Sequence, residues 1–276
     1  MKSSSLIFLG LAAILFSFGC STISKASSCD AIDSKIGPAD FQVDITRYAP
    51  EKSLARAIVI LPPTGGTNYI DRYYARLFCK SGYAVTIMNR WTADTGTSVD
   101  LEIHQGFYSR MLKAVDLTLA TIQTPFVGML GTSLGGLYAS VAASKIERID
   151  SVFLIVAGAP ITDVIVKSDQ EAMRKLASAR RKKFGIGDDV DYLEKLKKTF
   201  LLEPMSQPAL KKKKDFGMVV AEDDTTVPTD YQHRLRDFLK PRKLISLNNG
   251  HFWAIVNTWL HHDDEVVEFF NEGPRP

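Results

Sequence analysis

Three polar side chains in this sequence stand where a nucleophile, a base and an orienting acid would be needed. Ser133 sits at the centre of Gly131-Thr132-Ser133-Leu134-Gly135, between an apolar run from Phe126 and a stretch of small residues reaching Ala143. That pattern reads as strand, sharp turn and helix, with the serine at the apex. A Cβ two residues to either side would crowd such a turn, and glycine removes it. A serine hydroxyl is a poor nucleophile near neutral pH, so it needs a base to take its proton and an acid to orient that base. The chain has five histidines. His251 follows a strand-like Leu244–Leu247 and the turn Asn248-Asn249-Gly250, so it leaves the carboxyl end of a strand on a loop. His104 and His233 fall inside helical patterns, and His261 and His262 midway along a final helix expected over Phe252–Phe270. For the acid, the buried-strand pattern Met218–Ala221 runs into Glu222-Asp223-Asp224-Thr225-Thr226-Val227-Pro228. Asp224 is the first choice there, Asp223 the second, and Asp163, after the next strand, the third. The chemistry these residues suit is attack on an acyl carbonyl through a covalent intermediate.

The elements that must position them follow from periodicity. Ala57–Leu61, Tyr83–Met88, the run before Ser133 and Val152–Ala157 are continuous apolar segments, the pattern of strands buried on both faces. Phe41–Tyr48 alternates and predicts an early edge strand. Between the strands, Ile70–Lys80 and Leu101–Ile122 carry helical spacing, the first ending at Ser81-Gly82. Strand and helix alternate, which predicts a mostly parallel α/β sheet with helices on both faces. Ligands of such sheets bind at the carboxyl ends of the strands. Ser133, Asp163 and the loop Thr64–Thr67 all fall there.

The alternation breaks at about residues 161–210. Two helix-like runs, Ser168–Phe184 and Tyr192–Leu202, predict a small helical cap inserted before the sheet resumes at Asp215–Ala221. From Lys167 to Lys214 there are fourteen Lys and Arg against seven Asp and Glu. Solvated helix faces account for that excess; a contact with anionic lipid or an acidic substrate is the sharper alternative.

Length and composition bound the rest. With 276 residues, 45% of them hydrophobic, the chain can bury one large core. A net charge of only +3 gives no reason to expect a nucleic-acid partner. No spaced His, Cys and carboxylate cluster suggests a metal, and no glycine-rich loop suggests a phosphate-bearing cofactor. Lys2 followed by the apolar run Leu6–Phe18 suits a secretory signal over residues 1–19. Gly19-Cys20 resembles the lipobox of bacterial lipoproteins, which implies lipidation of Cys20 and an anchor in the cell envelope; an unlipidated signal peptide cut elsewhere is the alternative. The polar, Ser-rich stretch 20–38 then reads as a tether. Cys29 and Cys79 would be a disulfide pair or two free thiols in an exported protein.

In three places the chain resembles the α/β-hydrolase family: Gly131-Thr132-Ser133-Leu134-Gly135-Gly136, Asp224-Thr225-Thr226-Val227-Pro228, and Gly250-His251-Phe252. The order Ser, Asp, His is the family's, and a Val-Pro three residues after the acid favours Asp224. The resemblance covers roughly Ala57–Phe270, within a domain of residues 39–276. It implies a Ser133–His251–Asp224 triad with an oxyanion hole made by the backbone N–H of Leu134 and that of Thr64 or Gly65. Pro62 and Pro63, having no N–H, cannot serve. The expected activity is hydrolysis of a carboxylic ester or thioester by a serine enzyme without metal or cofactor. Its expected partners are a small-molecule acyl substrate and the membrane holding the lipid anchor. A lipase or peptidase of the same fold, or a non-catalytic envelope-anchored binding protein, are the alternatives.

Overall fold

Five segments carry so little polar character that only burial on both faces of a sheet satisfies them, and all five become neighbouring parallel strands or lie beside one. The computed structural model describes residues 29–90, 99–207 and 214–273. Its strands are β1 (Ala31–Ile36), β2 (Val43–Tyr48), β3 (Arg56–Leu61), β4 (Ala84–Arg90), β5 (Phe126–Thr132), β6 (Ser151–Ile155), β7 (Asp215–Ala221) and β8 (Lys243–Leu247). They form one eight-stranded sheet in the order β1-β2-β4-β3-β5-β6-β7-β8. β1 and β2 are antiparallel to their neighbours, and β4 through β8 run parallel. All seven residues of β5 are buried. Alternate side chains enter opposite apolar layers: Val59, Val127 and Met129 on one side, Ile58, Ile60 and Leu130 on the other.

The first layer is roofed by α2 (Ile103–Ala120) and α3 (Leu134–Lys145) and by part of α7 (Thr229–Leu239). The second is covered by α1 (Tyr69–Lys80), α8 (His251–His261) and α9 (Asp263–Glu272). The cap between β6 and β7 comprises α4 (Ile161–Lys167), α5 (Glu171–Phe184), α6 (Asp189–Thr199) and a 3-10 turn at Pro204–Ser206. It docks on the start of α2 through Arg180, which is fully buried. The Arg180 guanidinium donates to the Val99 and Asp100 carbonyls, to Tyr192 Oη at 2.8 Å and to His104 Nε2 at 3.0 Å. Much of the cap's remaining positive charge is engaged internally, as in Lys167–Asp189, Lys175–Glu171 and Lys197–Asp163. That agrees with solvated, self-paired helix faces.

Three expectations change. Residues 31–36, expected as tether, form β1, so Val43–Tyr48 is an inner strand rather than the edge. An edge strand needs little apolar content because one side faces water, and β1 is held instead by Thr46 Oγ1 donating to Asp33 at 2.5 Å and by Lys35 beside Asp44. Its entry is fixed covalently: Cys29 and Cys79 are disulfide-bonded, with Cα atoms 5.8 Å apart. The final helix is two helices that break at His262. Asp263, Asp264 and Glu265 favour a fresh N-terminus there, since acidic groups stabilise the positive end of a helix. His251 lies at the first position of α8 rather than on the loop before it. The predicted leader, Cys20, the loop residues 91–98 and the end of the insertion at 208–210 lie outside the described residues.

Candidate active site

The turn at Ser133 is built by what its neighbours lack. Ser133 has φ 54° and ψ −117°, a left-handed conformation that costs a residue with a Cβ on the order of 1–3 kcal/mol. Tight contacts on both sides impose it. A Cβ on Gly135 would lie 1.9 Å from the Leu61 carbonyl oxygen, and one on Gly131 would lie 2.4 Å from the Gly135 oxygen. The elbow is further held by Ser133 N–H donating to the Ile155 carbonyl at 2.8 Å. The hydroxyl emerges at the N-terminal end of α3 and the residue is 7% exposed.

Two loops from the carboxyl ends of β7 and β8, on the same rim of the sheet, meet it. The turn before α8 places His251 Nε2 2.8 Å from Ser133 Oγ. The other ring nitrogen, Nδ1, lies 2.7 Å from Asp224 Oδ2. Asp224 is buried at 3% exposure. Its Oδ1 accepts the backbone N–H groups of Thr226 (2.8 Å) and Val227 (3.0 Å), so the loop that presents the carboxylate also solvates it. The loops are joined directly, since Asp223 N–H donates to the Asn249 carbonyl. With both oxygens accepting, the geometry holds a proton on Nδ1 and leaves Nε2 to accept from the serine.

Gln232 completes this arrangement, and no sequence pattern singled it out. It is fully buried at the end of the first turn of α7. Its Nε2 donates to Asp224 Oδ2 and to the Val227 carbonyl, each at 2.7 Å, while its Oε1 accepts Ala221 N–H at 3.0 Å. One amide therefore ties the end of β7, the acid and the loop beyond it together. Asp169, in the cap between α4 and α5, accepts the hydroxyls of Thr225 at 2.5 Å and Thr226 at 2.9 Å. The Thr225 hydroxyl holds the Asp169 carboxyl below its usual range, and the Thr226 hydroxyl acts in the same direction. The cap thus reaches the rim beside the imidazole.

The remaining expected residues are placed as follows. Asp223 is exposed, whereas Asp224, the carboxylate that meets His251, is buried. Asp163 is buried among Thr162, Lys197 and Arg234, engaged away from the histidine. His104 accepts from Arg180, and burial followed by that guanidinium's charge lowers it to about 3, so it is neutral. His233 pairs with Glu222 and His262 with Glu265. Leu134 is the first residue of α3, where a backbone N–H has no intrahelical acceptor. The loop carrying Thr64 and Gly65 abuts the elbow, as the closeness of the Leu61 and Pro62 oxygens to Gly135 requires. Gly66 N–H is spent within that loop on the Pro63 carbonyl, and Thr64 and Gly65 stay exposed.

No family model matches the chain, and no curated protein was found to match it. Solved structures do. The chain is similar to the esterase Pf2001 of Pyrococcus furiosus, with TM-score 0.61 and 14% identity over 88% of this chain and 93% of that one. It is similar to Est1E of Butyrivibrio proteoclasticus, with TM-score 0.62 and 15% identity over 87% and 98%. It also matches the acylaminoacyl peptidase of Pyrococcus horikoshii, with TM-score 0.66 and 17% identity over 90% of this chain. There it spans only 42% of the neighbour's length. With the sheet order and the helices on both faces, these likenesses define the fold: the chain has the α/β-hydrolase fold.

Proposed function

We propose that the protein is a serine hydrolase that cleaves a carboxylic ester or thioester. The observation that carries this reading is the unbroken chain from Ser133 Oγ to His251 Nε2 at 2.8 Å and from His251 Nδ1 to Asp224 at 2.7 Å, set on a strained strand-to-helix turn. In the proposed reaction His251 takes the Ser133 proton as the oxygen attacks the acyl carbonyl. Asp224 holds the imidazole's tautomer and stabilises the imidazolium that forms. The N–H of Leu134 and that of Thr64 or Gly65 receive the developing oxyanion, each donor worth roughly 3–4 kcal/mol in known sites. His251 then protonates the departing alcohol or thiol, and water repeats the attack on the acyl-enzyme. No step calls for a metal or a cofactor.

We place the enzyme outside the cytoplasm, in the cell envelope, held by a lipid on Cys20. The Leu6–Phe18 run and Gly19-Cys20 motivate this, and the Cys29–Cys79 disulfide suits an oxidising compartment. The intact triad geometry favours an enzyme over a binding protein that has kept only the fold. The test is hydrolysis of p-nitrophenyl esters of rising chain length by parent and Ser133→Ala. Ser133→Ala is expected to lose at least about a thousandfold in kcat and all labelling by a fluorophosphonate probe while keeping its fold. Equal turnover by the two proteins would refute the assignment.

A further inference from the structure

Helix α8 wears its apolar face outward. At 100° per residue, Phe252, Trp253, Val256 and Leu260 fall within one narrow arc of the helix surface. Phe252 and Trp253 are each 64% exposed and Leu260 53%. The side turned to the sheet is Ala254 and Thr258, both fully buried. A surface helix ordinarily does the reverse. The patch continues onto α1: Tyr69, 65% exposed, packs its ring edge-on to Trp259 at 5.6 Å, and Trp259 meets Tyr73 at 5.9 Å. It begins one residue after His251 and ends one residue after Asn68, the cap of the helix that follows the Thr64–Gly65 loop. The patch therefore adjoins His251 at one end and the helix that follows the Thr64–Gly65 loop at the other. Contiguous apolar surface of this kind marks an interaction site.

We propose that this face docks onto a lipid surface, with the rim of the sheet that carries Ser133 and His251 turned toward the acyl chains. Three observations choose lipid as the occupant. Between its terminal histidines the helix carries no Lys, Arg, Asp or Glu, so the face from Phe252 to Leu260 enters an apolar phase without desolvating a charge. The patch mixes Trp and Tyr with Phe and Leu, the combination whose rings settle at the boundary between headgroups and hydrocarbon. Cys29, where the described chain begins, packs against the same apolar layer that α1 and α8 cover. Residues 1–28, with the apolar run Leu6–Phe18, therefore join the domain on this side of the sheet. Among the described residues no helix is long and apolar enough to cross a membrane. The docking stands apart from the hydrolase reading. Its consequence, that the esters cleaved are borne by the lipid layer, rests on that reading.

The test uses the full chain, whose three tryptophans include the pair on α8. In Trp91→Phe, Trp253 and Trp259 become the reporters. Mixed with phosphatidylcholine vesicles carrying brominated acyl chains, this protein is expected to lose about half or more of its emission relative to unbrominated vesicles. Adding Val256→Ser and Leu260→Ser, both on the outward arc and away from His251, should abolish most of that quenching, while the thermal midpoint and the turnover of dissolved p-nitrophenyl acetate stay unchanged. Vesicle flotation without bromine quenching would overturn the proposal, because the N-terminal segment alone would then hold the protein. Shielding of the two tryptophans from iodide in the absence of vesicles would overturn it too. Concentration-dependent shielding would name a second copy as the occupant, and concentration-independent shielding the Leu6–Phe18 run. Failure of the hydrolase reading would show separately, as turnover by Ser133→Ala with quenching intact.

Discussion

Asp224 is the residue whose surroundings say most about how the site works. Its Oδ1 is committed to two backbone N–H groups and its Oδ2 to both His251 and Gln232. In Asp224→Asn the oxygen is retained where the two amides need it, and the new NH₂ takes the Oδ2 position, where it faces His251 Nδ1 and breaks the hydrogen bond from Gln232. A donor there forces the imidazole proton onto Nε2, the atom that must accept from Ser133. Turnover of a p-nitrophenyl ester is therefore expected to fall by roughly a thousandfold or more with KM little changed. Asp223→Asn, on an exposed side chain, should stay within about twofold. The adjacent pair of variants makes the assay decisive. Ser133, Asp224 and His251 were legible because each sits where a strand pattern ends, and the Val-Pro of the family resemblance pointed to Asp224, the carboxylate that meets His251. Gln232 was not legible: it is one polar residue in the polar-looking Thr229–Leu239 segment, and nothing in spacing separates a buried amide from an exposed one.

At the scale of elements, legibility tracked burial. Strands β3 to β7 were readable because both faces enter the core and the sequence has no freedom to alternate. β1 was hidden because its stability comes from a neighbour's hydroxyl, an ion pair and a disulfide rather than from an apolar run. The division between α8 and α9 was hidden because no Pro or Gly marks it. The elbow shows the opposite case, a local sequence whose purpose is steric. Gly135→Ala puts a methyl group 1.9 Å from a main-chain oxygen of β3. Strand and helix must then separate, and the expected cost is more than about 4 kcal/mol, seen as loss of soluble protein or a matching drop in the urea midpoint. Activity lost in this variant would report on folding rather than on chemistry.

For the whole molecule, three buried ionisable groups set opposing responses to pH. Burial raises Asp71 from 3.8 to about 7, although the Asn68 N–H it accepts in the α1 capping box opposes the change. Burial likewise raises Glu203 to about 7 against the N–H of Ile161. Both carboxyls bind protons more tightly folded than unfolded, so the stability they add is present below about pH 4 and is lost as pH rises through 7. His104, lowered to about 3, works the other way: its contribution is full above about 6.5 and is lost as pH falls toward 3. Asp71→Asn keeps the oxygen that caps α1 and removes one carboxyl term. Relative to the parent it should gain stability progressively between pH 4 and 7 and hold that gain at pH 8. Each tenfold change in proton affinity is worth about 1.4 kcal/mol, so urea unfolding at pH 5 and 8 should separate the two proteins by a few kcal/mol more at the higher pH.

The covalent link between Cys29 and Cys79 also decides how the domain answers a pull on its leading end. Tension arriving from residue 28 passes across the sulfur bridge into the last turn of α1. The fifty-residue separation that includes β1, β2 and β3 lies off the line of force. A mechanical load that would otherwise peel the outermost strand from the sheet one hydrogen bond at a time is delivered to the packed interior instead.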